Sequence, residues 1–402
     1  MEYTSPANPV RSDPQAVSPT TLLAVFATVP DPRRRQGTRF PLPAILTLAV
    51  AAILANHRSV LAIAEWGASQ SPTLLAAFGF PKGVTPHQST LQRLFRRLDP
   101  VALSTALTRA LEPAARPNPL QRGSQGVAID GKAQRGRLAS ATAPEYAVHA
   151  LSACCHKLGV VLAQLPIVEA GDKSEAELTV APRLLAGLDW RGRVFTGDAL
   201  FCQRNLCQQV VEAGGDYRLL VKENQPQLHA DLHLLFDSPA PTLPLTDRRE
   251  AETRDYGQGR YEDRRHLIAS TDLTGYSDWP ALAQIFRLHR TWWAAGQRHA
   301  SIRYGITSLP PEVASAERLL ALGRGHWTIE NRLHYVKDVV LGEDQSLIHC
   351  DAGPAILAIF RDTAVSLLRR AGYHAIAARL RHNSRHPQDT LPLLGLAVPQ
   401  NA

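Results

Sequence analysis

Two aspartates in this 402-residue chain stand at the ends of short apolar runs: Asp130 closes GVAID and Asp198 closes RVFTGD. A charge at the end of a buried strand costs free energy unless water, a partner or a metal ion takes it up. A third carboxylate, Glu330, lies in GHWTIENRLHYVKDVVLGED (residues 325–344). Laid on a helix at 100° per residue, Ile329, Leu333, Val336 and Val340 form one apolar stripe. Trp327, Glu330, His334 and Lys337 form a second face about a quarter to a third of a turn away. Each residue alone has an ordinary reading: a strand-end Asp as a turn or helix cap, and Glu330 as an i,i+4 partner of His334. Two strand-end aspartates and one helix-edge glutamate together suit a hard divalent cation, Mg²⁺ with Mn²⁺ able to substitute. Two such ions roughly 3.5–4 Å apart support phosphoryl transfer. Asp172, Glu223, Asp338, Glu343 and Asp344 are rival carboxylates for any of the three positions.

The charge balance names a partner for such chemistry. The chain carries a formal +8, and residues 1–120 hold twelve Lys+Arg against six Asp+Glu, so +6 of it lies there. A basic first third points to a polyanion, most simply nucleic acid. Arg33, Arg34 and Arg35 sit in a Pro-bounded turn, VPDPRRRQGTRFPLP. Arg93, Arg96 and Arg97 lie on TPHQSTLQRLFRRL, where Leu91, Leu94, Phe95 and Leu98 supply the apolar stripe and Ser89 or Thr90 a cap. With the preceding Leu74–Phe80 helix and a Gly/Pro turn, this reads as a helix-turn-helix with a basic second helix. The five cysteines form no CxxC, which argues against a disulfide framework and a structural zinc site and fits a reducing cytosol. The polar, Pro-rich opening does not read as a signal peptide. The apolar run Leu42–Ala55 is too short to span a bilayer and reads as a core helix.

The elements that must position the carboxylates follow from the changing period. Residues 1–17 read as disordered, residues 18–112 as an all-helical, basic DNA-binding domain, and residues 113–126 as a Pro-rich linker. Three strands follow, at 126–136, 146–155 and 159–170, the last two joined by a tight turn at Lys157–Gly159. Helix, strand, helix and strand come next, at 174–188, 193–200, 202–213 and 217–224. This is an α/β order with a mixed sheet. Residues 225–318 read as a mostly β insertion before the Glu330 helix. The stretch from Gly353 is helical through Arg370, and 376–402 reads as a basic tail.

The runs VAIDGK, VHALSACCHKLGVVLAQLPI, GDKSEAEL, VFTGDALFCQ, YRLLVKENQ and HWTIENRLHYVKDVVLGED carry a resemblance. Together, and in this order, they resemble bacterial insertion-sequence transposases of the DDE type, in the branch of the H-repeat-associated proteins. The likeness spans about Leu22 to Leu368. It implies an RNase H-like catalytic domain over 127–375, with Asp130, Asp198 and Glu330 as catalytic residues and ligands of two metal ions. It likens the insertion at 225–318 to that of related transposases and residues 19–105 to an accessory helical domain. Lys337 matches a basic position placed near the active site and DNA, and Lys222, Arg332 and His334 join it as candidate DNA-binding residues. The chain departs from the family at Glu175, where Asn is common after Lys-Ser, at Gln258 before Gly259 and Arg260, where His is common, and at Tyr335, where Trp is usual.

The implied activity is DNA transposition: metal-dependent cleavage at the element's ends, then attack of the 3′-OH on target DNA without a covalent protein–DNA intermediate. The implied partners are terminal inverted repeats, target DNA and a second copy of the chain in the paired-end complex, in the bacterial cytoplasm at the nucleoid. A domesticated or inactivated copy that binds DNA without cutting it, or a metal-dependent nuclease without strand transfer, are the competing readings.

Overall fold

The structure is a computed structural model and describes residues 21–34, 38–111, 117–133, 149–167, 173–237, 245–256, 262–294 and 296–399. Arg35, Gly259, Arg260 and the expected disordered start fall outside them. The described strands are β1 (Gln125–Ala133), β2 (His149–Cys155), β3 (Val161–Ile167), β4 (Arg193–Gly197), β5 (Asp216–Val221), β6 (Arg249–Tyr256), β7 (Glu262–Ser270), β8 (Gln284–Ala294) and β9 (Gln297–Thr307). They make one mixed sheet in the order β3-β2-β1-β4-β5-β9-β8-β7-β6.

The pairing fixes where the aspartates go. Strands β1, β2 and β3 form an antiparallel meander, while β4 runs parallel to β1 and β5 parallel to β4. Parallel neighbours need crossovers, supplied by α7 (Lys173–Ala186) between β3 and β4 and by α8 (Arg204–Glu212) between β4 and β5. All of β4 is buried, as a strand covered on both faces must be. The register pairs Ala128 of β1 with Thr196 of β4. Asp130 and Asp198 each lie two residues further on, so the parallel pair delivers them at the same level of adjacent strands.

The insertion differs from its expected form in two ways. It begins with a helix, α9 (Pro226–Asp237), in which Leu228 and Leu232 at helical spacing supply the buried face. Its strands then extend the main sheet, because β9 pairs antiparallel with β5 from Arg218↔Thr307 to Val221↔Tyr304.

The helical first third comprises α1 (Leu22–Phe26), α2 (Leu42–Leu54), α3 (Val60–Ala68), α4 (Pro72–Ala77), α5 (Gln88–Phe95) and α6 (Pro100–Leu111). Helix α2, apolar almost throughout, is buried from Ala44 to Leu54, as the core-helix reading requires. The ring of His87, rather than Ser89 or Thr90, caps α5 by accepting from the Ser89 N–H. The first third closes over α11 (Gly353–Arg370), in which every residue from Gly353 to Leu368 is buried. Residues 376–402, expected as a tail, instead supply α12 (Ile376–Arg385) and α13 (Thr390–Leu393). Ile376, Leu380, Leu391 and Leu394 join the core that α1–α6 and α11 share. Hydrogen bonds tie the two ends of the chain together: the Leu22 N–H donates to the Leu394 carbonyl at 3.0 Å, and Asn383 Nδ2 to the Leu54 carbonyl at 3.0 Å. Helix α6 packs on β3, where the Ser104 hydroxyl donates to the Gln164 carbonyl. No described helix is long and apolar enough to cross a membrane, and none of the five cysteines is in a disulfide.

Candidate active site

Asp130 lies in β1 next to a close backbone approach. A Cβ on Gly131 would come within 2.2 Å of Glu177 Oε1, so glycine lets α7 bring a second carboxylate against the strand. Asp130 is partly buried, and Glu177, itself 4% exposed, lies beside it. Asp198 follows β4 and is exposed, and its Oδ1 accepts the Leu200 N–H at 2.9 Å, capping a 3₁₀ turn at Ala199–Phe201. It therefore does carry the cap that a lone strand-end Asp suggests, and it lines the same cleft as Asp130 and Glu330.

Glu330 comes from the segment after α10 (Ala316–His326), whose N-terminus Ser315 caps. This segment is not the regular α-helix that its apolar spacing suggests. Ile329–His334 and Val336–Val340 are π-helical: the Tyr335 N–H bonds to the Glu330 carbonyl, and the Leu341 N–H to that of Val336 at 3.0 Å. Bonds from i to i+5 widen the helix and reduce the rotation per residue. His334, four residues on, still meets Glu330, and its Nδ1 lies 3.6 Å from both Glu330 Oε2 and Asp130 Oδ2. Lys337, seven residues on, falls well short of two full turns and leaves that face. Expected beside DNA, it is instead 1% exposed, its Nζ 3.0 Å from Asp362 Oδ1 and 3.4 Å from Glu343 Oε2. Burial opposes its charge, but Asp362 and Glu343 outweigh burial and hold its ammonium above the ordinary range.

Ligand atoms of Asp130, Glu330 and His334 all lie within 4.8 Å of one another. Burial, and then the carboxylates of Glu330, Glu177 and Asp198, push the Asp130 carboxyl up to about 8. The His334 ring, acting against burial and helped by Asp130 and Lys132, pulls Glu330 down to about 2. Crowded carboxylates that resist ionising together, with an imidazole at their centre, fit a divalent cation, which would relieve the repulsion. His334, expected at a DNA phosphate, thus joins the carboxylates.

The cleft over these groups has a volume of about 260 Å³. Its floor carries Asp130, Asp198 and Glu330, and its walls carry Arg218, Lys222, Arg265, Arg290, Arg303 and Arg324. Arg265, Arg290 and Arg303 come from β7, β8 and β9 of the sheet extension, Arg218 from β5, Lys222 from just after β5 and Arg324 from α10. Trp327, 45% exposed, also lines the cleft beside Glu330. Among the described residues, Lys222 alone of the cations expected to bind DNA lies here. Arg33 pairs with Asp31 at 2.8 Å, Arg96 with Asp351 at 2.6 Å, and Arg97 donates to the Pro32 carbonyl at 2.9 Å. Arg93 donates to the Ser89 carbonyl at 3.1 Å, and Arg332 to that of Lys157 at 3.2 Å. Arg34 is exposed. Sequence reasoning missed the rest of the wall because Arg218, Arg265, Arg290 and Arg303 come singly from four strands, where only the pairing register gathers them, and Arg324 from α10. It also missed Glu177, for which the GDKSEAEL run was the available signal.

A mixed α/β sheet that brings a carboxylate from within β1, one just after β4 and one from the segment following α10 to a single cleft is of the RNase H-like class. The description "Transposase DDE domain" fits residues 121–365, and "DDE_Tnp_1-associated" fits residues 23–110, so the chain belongs to the DDE transposase family. It is 28% identical to "Putative transposase YncI" of Escherichia coli O157:H7, over 87% of this chain and 87% of that one. It is 25% identical to "H repeat-associated putative transposase YhhI" of Escherichia coli K12, over 86% of this chain and 90% of that one. An "Uncharacterized protein in dhlA 3'region" of Xanthobacter autotrophicus is 31% identical over 70% of this chain and 92% of its own length. Among solved structures, a piggyBac transposase synaptic complex with hairpin DNA aligns over 93% of this chain and 77% of that one, at 11% identity and a TM-score of 0.38.

Proposed function

We propose that the chain is a DNA transposase that cuts the ends of its element with Mg²⁺ and joins the freed 3′-OH to target DNA. The observation that carries this reading is the acidic floor under basic walls, with Asp130, Asp198 and Glu330 lining one cleft. Asp130 and Glu330 would hold the metal, with His334 between them and Asp198 completing the acidic edge. Divalent ions at this floor would supply electrostatic activation of an attacking oxygen and stabilisation of the leaving one. The chain's own groups do the rest. Cations of β5, β7, β8 and β9 would hold the strand's phosphates, which fixes the scissile bond over the carboxylates. Trp327 offers a face on which an unpaired base can stack. His334 would hold Glu330 ionised and turned toward Asp130. The helical first third would add contacts to element ends, and pairing two ends would require a second copy of the chain. We place this activity in the bacterial cytoplasm, at the nucleoid.

The test is cleavage of DNA carrying the element's inverted repeat, with Mg²⁺ or Mn²⁺, scored for nicks and joined products. Wild-type cutting and joining, with both lost in Asp130→Asn, supports the reading. Cutting without joined products would make the protein a nuclease, and binding without cutting an inactive copy.

A further inference from the structure

Arg218 stands apart from the other cations of the cleft. It lies in β5, 3% exposed, paired across the sheet with Thr196 of β4 and Thr307 of β9. Its guanidinium lies over the Phe286 ring at 4.3 Å, and a Cβ on Gly323 would come within 2.6 Å of its Nη2. Glycine in α10 thus leaves the room that the guanidinium occupies. Among the described residues, its Nε and Nη2 have no hydrogen-bond partner, and no carboxylate pairs with it. Arg265 and Arg290, by contrast, share Asp263, and Arg324 holds Asp255. A buried charge without a counter-ion is strongly disfavoured, and burial followed by Arg303 pulls this guanidinium down to about 9. The residue nonetheless lines the cleft that holds Asp130, Asp198 and Glu330.

We propose that Arg218 is an anion receptor of the cleft whose missing counter-ion is a phosphate oxygen of the bound DNA strand. This rests on the transposase reading for its ligand, although the receptor itself follows from the unpaired buried guanidinium. A planar fork of donors fits a phosphodiester's two non-bridging oxygens. The other cations of the same walls suit a ligand whose charges repeat along its length.

Full-length wild type, Arg218→Met and Gly323→Ala are compared in three measurements. The first is metal-free melting, where Arg218→Met should melt at or above wild type, because it removes an uncompensated charge while keeping an unbranched chain over Phe286. The second is the melting response to inorganic phosphate, which should rise in wild type and be flat in both variants. The third is duplex DNA binding across a salt series. There Arg218→Met should bind about tenfold more weakly, and the slope of log affinity against log salt should fall by about one. Gly323→Ala, which displaces the guanidinium, should lose the same two responses and decides the matter if Arg218→Met does not fold. A melting temperature well below wild type for a folded Arg218→Met, or unchanged phosphate response and salt slope, overturns the receptor and leaves transposition standing. Absence of salt-dependent DNA binding in wild type defeats the transposase reading instead, and the phosphate arm still decides for or against Arg218.

Discussion

At the scale of single residues, the carboxylates make the site's charge state the quantity to measure. Asp130, raised to about 8, keeps a proton in the native metal-free protein that the unfolded chain has released. From about pH 4 to pH 8 this group binds more protons in the native state, and its contribution to stability falls as pH rises, by at most about 1.4 kcal/mol per unit. Glu330, lowered to about 2, acts in the opposite sense: its contribution is present above its unfolded value and is lost as pH falls toward 2. Buried His156 and His326, held down to about 3 and about 4, give the opposite slope below about pH 6.5 in either protein. In chelator the Asp130 decline should therefore show as wild type falling relative to Asp130→Asn between pH 5 and pH 8; an equal slope in both proteins would remove Asp130 as its source. Saturating Mg²⁺ should also flatten it, adding about 2.7 kcal/mol at a hundred times the dissociation constant. Asp198→Asn keeps an oxygen for the Leu200 N–H and removes a charge from the cleft. It should melt in chelator no lower than wild type and gain less from metal. A full metal response in that variant would reduce Asp198 to its cap.

At the scale of elements, the π-helical segment decides what can be read from spacing. Glu330 and His334 share a face whether bonds run i→i+4 or i→i+5, so their proximity was legible in the sequence. Lys337 was not, because a few wide turns accumulate enough missing rotation to carry it from the cleft to Asp362 and Glu343. Spacing reports periodicity, while hydrogen-bond register sets the period. Replacing Lys337 by Met should thus cost stability, about 3–5 kcal/mol for breaking a buried charge set. Denaturant unfolding measures the loss, and the salt slope for DNA should stay at the wild-type value; a reduced slope with unchanged stability would return Lys337 to the DNA. The strands of the meander and of β4 and β5 were legible because apolar runs ending in turn residues mark them. Helix α9 was missed although Leu228, Leu232, Leu235 and Phe236 recur at helical spacing along its packed face, because the strand-like pieces after it set the reading of the whole insertion.

At the scale of the whole molecule, the first and last helices form one core with the segment carrying Glu330. Leu22, Phe26 and Ile45 belong to the same apolar cluster as Leu333, Phe360 and Leu391. Periodicity revealed each helix, but a partner more than 300 residues away leaves no local trace. Removing residues 1–112 should consequently do more than abolish recognition of element ends. It strips α11 of its cover, and the remainder should lose cooperative melting and bind a dye for exposed apolar surface. A fragment that melts cooperatively with metal-stabilised carboxylates would show that the sheet and α11 stand without the first third.

The sharing of one core between both ends of the chain also orders events at the ribosome. Helices α1–α6 emerge first, yet α11, α12 and α13 come only after the whole sheet has been synthesised. At typical elongation rates the first third waits on the order of ten seconds or more with its apolar face uncovered. A copy of the gene interrupted anywhere before residue 353 would therefore yield a polypeptide in which the faces of α2 and α6 that meet α11 stay uncovered. Such remnants would be cleared by proteolysis before they could compete with intact protein for element ends.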